Sequence, residues 1–189
     1  MGHIFQINRS GVIATGLFFI MLCVIMFTSS AHAASLFPSS SVPGMPASTD
    51  AQPVELGVRF TSDISGFVTG IRFYKGATNT GPHTGKLWTT SGALLGSVSF
   101  TNEMASGWQE ASFSSPIAIA ANTQYIASYH TQSGNYAFDA NYFTSQGVEN
   151  APLHAPAGGN GRYGASGAYP TNTWLSSNYF RDIVFTRSP

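Results

Sequence analysis

The chain has 189 residues with eight basic and eight acidic side chains, and charged residues make up only 8% of it. No basic cluster interrupts this neutral background. Nucleic acid is therefore set aside as a partner, because binding phosphate calls for a concentrated positive surface. The single cysteine, Cys23, leaves no intramolecular disulfide to form, so the fold must rest on core packing.

Residues Val12 to Phe27 are apolar apart from one Thr and one Gly, and Ala31 and Ala33 then form an A-x-A cleavage site. These features predict an export signal over 1–33, cut before Ala34. The mature protein is then secreted, periplasmic or on the cell surface, with no membrane span kept. A retained anchor is the competing reading, since the apolar run approaches the roughly 20 residues a spanning helix needs. Pro38 and Pro43 argue against such a helix continuing. What remains suits one domain with one core.

From Ala34 to Pro53 the chain is rich in Pro and Ser and has no period, which predicts an extended arm packing at most a few residues such as Leu36 and Phe37. A single domain is expected over 54–189. In "VELGVRFTS" the residues Val54, Leu56, Val58 and Phe60 alternate with Glu55, Gly57, Arg59 and Thr61, the pattern of a strand with one face inward. "FVTGIRFYK" repeats it. Two short strands follow in "GKLWTTSGALLGSVSF", joined across Ser91 and Gly92 as a hairpin. "GWQEASFSSPIAI", "TQYIASYHT", "NYAFDANYF" and "NYFRDIVFT" supply further strands. Seven or more short strands at roughly ten-residue intervals predict an all-β protein, an antiparallel β-sandwich of jelly-roll type. Between the last two strands, 144–177 reads as a long irregular loop. Loops of that length are often functional.

Five blocks, "VELGVRFTSDISGFVTGIRFYKG", "GKLWTTSGALLGSVSFTNEMASGWQEASFSSPIAI", "TQYIASYHTQSGNYA", "APLHA" and "SSNYFRDIVF", resemble the secreted bacterial domain of unknown function four-zero-eight-two. The resemblance runs from about Ser35 to Phe185. It implies a β-sandwich module that recurs in exported, cell-surface multidomain proteins, often beside carbohydrate-active or immunoglobulin-like domains. It implies no activity and no catalytic residues.

The residues offer little to an enzyme. "GASGA" at Gly164 to Ala168 has the wrong spacing for a nucleophile elbow, and there is no H-E-x-x-H and no phosphate-cradling loop. A glycosidase needs two facing carboxylates, which sequence alone does not place. The expectation is a non-catalytic module that binds a polysaccharide or cell-surface glycan. An exposed ring stacks on sugar C–H faces while Asn, Asp or His bonds the hydroxyls. The candidates are Trp88, His130, Tyr136, Asp139, Tyr142, His154, Asn160, Tyr163, Tyr169 and Trp174. Plain packing competes for Trp88 and for the tyrosines, and a bond to loop backbone competes for His154. The alternative is a structural or adhesive protein that assembles into homo-oligomers through its sandwich and its arm.

Calcium is the one metal with a case. Were the first and last strands neighbours, Glu55 and Asp182 would meet, and Asp50 or Asp63 would add oxygen ligands. Otherwise Asp182 forms an ion pair with Arg59, Arg72 or Arg181, the reading we favour.

Overall fold

A computed structural model describes residues 1–3 and 33–189. The expected export signal, with Cys23, lies almost wholly outside the described residues. Among the described residues there are ten strands: β1 (Val54–Ser62), β2 (Gly66–Lys75), β3 (His83–Thr89), β4 (Leu94–Ser99), β5 (Gly107–Ile119), β6 (Tyr125–Thr131), β7 (Val148–Asn150), β8 (Leu153–Ala155), β9 (Gly161–Ala165) and β10 (Arg181–Thr186). All pair antiparallel, in two packed sheets. The protein is an all-β sandwich.

The large sheet runs β4-β3-β6-β1. Beyond β1 its edge is shared, β9 pairing with Val54 to Val58 and β8 with Thr61 and Ser62, and β7 closes a hairpin on β8. The small sheet runs β10-β2-β5. Pro116 lies in β5, an edge strand, where a missing N–H donor is tolerated.

The core is the space between the sheets. Leu56, Val58 and Phe60 of β1 point into it, as their alternation requires, and meet Leu87, Tyr129, Val68, Ile71, Phe73, Ile183 and Phe185. Phe73 stacks on Tyr129 across the gap with centroids 4.2 Å apart. Gly85 allows a close approach: a Cβ there would lie 2.7 Å from Ile71 Cβ, so any larger residue would wedge the sheets apart.

Both outer faces are partly covered. The N-terminal arm lies against the small sheet. The Ala34 N–H donates to Phe185 O and the Phe185 N–H returns a bond to Ala34 O, each 2.8 Å, while Leu36 and Phe37 are buried. Phe37 packs against Trp108 and Phe180. Further along, Met45 bridges Phe138 and the Ser48 N–H bonds Tyr136 O. The arm expected to be extended thus does pack, and its hydrogen bonds are made within its own chain. The outer face of the large sheet is covered by 166–173. Gly57 makes room for it, since a Cβ there would sit 2.7 Å from Pro170 Cγ.

Three expectations need correction. "NYAFDANYF" is not a strand: Asn135 and Asn141 take left-handed backbone at φ 49° and 62°, leaving only single bridges at Phe138 and Asp139. The segment 144–177 is not irregular throughout, because it contributes β7, β8 and β9. The last strand begins at Arg181 rather than Asn178, because Phe180 at φ 52° interrupts the pleat.

Candidate functional site

The carboxylates offered to calcium are not brought together, because β1 and β10 belong to opposite sheets. Each has its own partners. Glu55 is fully buried beneath the 166–173 segment, where it accepts from Lys86 Nζ at 2.6 Å and Ser128 Oγ at 2.5 Å. Trp88 Nε1 donates in turn to Ser128 Oγ at 2.8 Å. Burial raises the Glu55 pKa, against the pull of Lys86 and Ser128. Asp63 meets His154, and Asp50 meets Tyr136 and the Gln52 N–H. Among the described residues no group of three or more His, Cys, Asp or Glu has metal-holding geometry.

Asp182 takes the other of its two readings, in part. Its opposite on β2 is Arg72, whose Nη1 lies 3.5 Å from Oδ2, and Arg72 in turn faces Glu110 on β5 at 3.9 Å. The guanidinium also sits 4.7 Å above the Trp108 ring. The stronger bonds to Asp182 are backbone ones: the N–H groups of Leu36 and Phe37, at 2.6 and 3.0 Å, and its neighbour Ile183, at 2.7 Å. Burial nonetheless pushes the carboxyl up to about 6. The residue that joins the arm to the last strand is thus a carboxylate. Arg181, which alternation sends the opposite way, is buried in the core beside Tyr179, and none of its three nitrogens has a hydrogen-bond partner.

Three of the ten glycan candidates meet at one place. Tyr136, Tyr163 and Trp174 line a cleft of about 350 Å³ at one edge of the sandwich, together with Phe138, Tyr179, Val54, Ser48, Thr49 and Asp50. The arm supplies one wall, 136–138 and Tyr179 the floor, and β9 the far side. Phe138 meets the Trp174 ring edge-on at 5.8 Å, and Tyr136 meets Tyr179 likewise at 5.6 Å. The Tyr136 hydroxyl donates to Asp50 Oδ2 at 3.2 Å, and its pKa is raised first by burial and then by the Asp50 charge. Leu175 and Ser176, both left-handed at φ 46° and 45°, turn the chain so that Trp174 stands 47% exposed at the lip.

The other candidates sit elsewhere. Tyr169 covers Trp88 edge-on at 5.7 Å and donates to Thr90 O, lining a second cleft. His130 bonds Ser166 Oγ at 2.8 Å. Asp139 accepts from the Gly44 N–H at 2.7 Å and Tyr142 packs on Phe37, so both anchor the arm. Asn160 is buried and bonds the β1 backbone at mid-strand, accepting from the Arg59 N–H and donating to Arg59 O. His154 holds Glu149 on one ring nitrogen and Asp63 on the other.

Sequence reasoning missed Ser48, Thr49, Phe138 and Tyr179 in the first cleft. It also missed a polar cluster in the sandwich, where His83 lies between Glu103 and Asn79, with Thr131 also on Asn79. That His–carboxylate pair has the composition of an acid–base dyad, but His83 is buried and lines neither cleft. Its role is to satisfy polar groups within the core.

Fold and cleft together define a β-sandwich with an aromatic-lined surface cleft. The chain belongs to the family described as domain of unknown function DUF4082, whose model matches residues 40–181. No curated protein matches it.

Proposed function

We propose that this domain is a non-catalytic carbohydrate-binding module, acting outside the cell on a polysaccharide or cell-surface glycan, and that the first cleft is its site. The observation that carries the reading is Trp174, a large apolar ring held half-exposed over a cleft already walled by Tyr136, Phe138 and Tyr163. Leaving an indole in water forgoes its burial, so its position suits a ligand that covers it. A pyranose does so: its C–H face stacks on the ring, and its hydroxyls reach Ser48, Thr49 and Asp50 on the arm side. Asp50 is the one carboxylate among the cleft's lining residues, whereas glycoside hydrolysis by the usual route needs two. That composition supports binding rather than turnover.

The test is a screen of neutral and charged oligosaccharides by glycan array, with affinities then measured by calorimetry. Trp174→Ala is expected to weaken binding tenfold or more, about 1.4 kcal/mol, with an unchanged melting temperature. A folded protein that binds no glycan, or one whose binding ignores Trp174, overturns the reading.

A further inference from the structure

The second cleft has a different chemistry. Arg162 of β9 lies opposite Gly57 of β1, and Arg59 is two residues from Gly57, so the two arginines are diagonal neighbours on the same outer face. Two guanidinium groups placed together repel. Three other cations of the sandwich face carboxylates: Lys75 has Glu103, Lys86 has Glu55, and Arg72 has Asp182 and Glu110. Among the described residues, which hold all eight acidic side chains, none forms an ion pair with Arg59 or Arg162.

Each arginine side chain donates one bond, to a backbone carbonyl: Arg59 Nη2 to Gly158 O at 3.1 Å, and Arg162 Nη1 to Thr171 O at 2.8 Å. Those bonds fix both guanidinium groups in place. Their Nε atoms are covered and have no acceptor, and the remaining Nη protons make no bond within the described protein. Burial, and then the Arg162 charge, lowers the Arg59 pKa. Thr90, Gln124 and Thr171 line the same cleft, and none commits its side chain to a hydrogen bond. Ile126 and Pro170 supply the apolar surface.

The space is about 230 Å³. That is the liquid volume of roughly eight waters at about 30 Å³ each, more than a bare oxyanion fills. An occupant that matches it carries one anionic group for the arginines, hydroxyls for Thr90, Gln124 and Thr171, and C–H surface for Ile126 and Pro170. We propose that this cleft binds an acidic saccharide residue, with the oxygens of its carboxylate or sulfate group held between Arg59 and Arg162. Guanidinium forks suit either anion. The inference stands apart from the ligand of the first cleft.

The experiment titrates the folded protein with glucuronate, glucose 6-sulfate, glucose and inorganic sulfate, followed by calorimetry and by NMR shifts. At least one acidic sugar is expected to bind tenfold or more tighter than glucose, with the preference falling as salt screens the pair. Arg162→Gln abolishes that preference, Arg162→Lys restores some of it, and Trp174→Ala leaves it intact. Equal binding of glucose and both acidic sugars, or no binding of any, overturns the proposal. Inorganic sulfate binding as tightly as either acidic sugar makes the cleft a bare anion site and overturns the saccharide assignment. Arg59→Gln is expected to lower the preference as well, and if it fails to fold, the two Arg162 variants still decide the matter.

Discussion

Changing Asp182 to Asn swaps one oxygen for an NH₂ group of nearly the same size, so its effect isolates hydrogen bonding and charge from packing. The carboxylate, itself fully buried, takes three backbone N–H bonds, from Leu36, Phe37 and Ile183, and pairs with Arg72. Oδ1 serves Leu36 and Ile183, which an amide oxygen continues to satisfy. Oδ2 serves Phe37 and Arg72, and there the amide presents a donor to two donors. One buried N–H left unsatisfied costs about 1–3 kcal/mol. Removing one partner of a buried ion pair costs about 3–5 kcal/mol. The two terms overlap, and a loss of about 3–5 kcal/mol is expected. For a domain of this size that lowers the melting temperature by roughly 6–20 °C. Urea denaturation gives the free energy, and limited proteolysis reports on the arm, whose bonds over 34–53 become the weakest point. Adding Arg72→Met recovers some of the loss, because it removes the orphaned cation. A loss under about 1 kcal/mol with the arm still protected would refute the argument that this carboxylate holds the arm.

Arg181 gives the opposite sign. Its guanidinium is fully buried beside Tyr179 with no hydrogen-bond partner, and burial lowers its pKa to about 9. Arg181→Met keeps the length and removes the desolvated charge, and is expected to stabilise by about 1–3 kcal/mol after the lost contact with the ring; a lower urea midpoint for the variant would contradict it. His154 supplies a pH dependence, since bonds to Asp63 and then Glu149 raise its pKa. Its contribution is present below the unfolded histidine value of about 6.5 and is lost as pH rises through the raised folded value. Melting curves of the wild type and His154→Gln should therefore differ near pH 5.5 and converge at pH 9, and a gap that persists at pH 9 contradicts the assignment.

How much of the fold is legible in the sequence depends on strand length and on what covers each face. The boundaries of β1 and β5 follow from alternation alone, because nine and thirteen residues give the pattern room to repeat. Strands of three to five residues, such as β7, β8 and β9, carry too few apolar positions to show a period. Glycines admit close backbone beside β7 and within β9: a Cβ at Gly147 would lie 2.5 Å from Ala155 O, and one at Gly161 would lie 1.6 Å from Ser177 O. Alternation places Glu55 opposite the core face, but its burial depends on the 166–173 segment folding back, a contact between residues more than a hundred positions apart. The site is visible only in some of its residues for the same reason. Tyr163 and Trp174 stand out in a glycine-rich stretch, whereas Ser48 and Thr49 look like any Ser/Thr arm. Their place at the cleft follows from the bridge between Met45 and Phe138, which no local pattern announces. The expectation that first and last strands are neighbours fails because β10 takes the arm, rather than β1, along its free edge.

That pairing has a mechanical consequence. In an antiparallel bridge between Ala34 and Phe185, the backbone nitrogen of Ala34 and the chain after Phe185 lie at the same end of the ladder. A pull applied across the two ends therefore loads the bridge at right angles to the strands, along its hydrogen bonds, which then break in succession instead of sharing the force. The first bonds to go are the Ala34–Phe185 pair, and the next lie at Leu36 and Phe37, where they are anchored on Asp182. Under tension, as on a surface tether, the arm peels away at low force up to that carboxylate, where a cluster of charged hydrogen bonds resists before the core itself is strained.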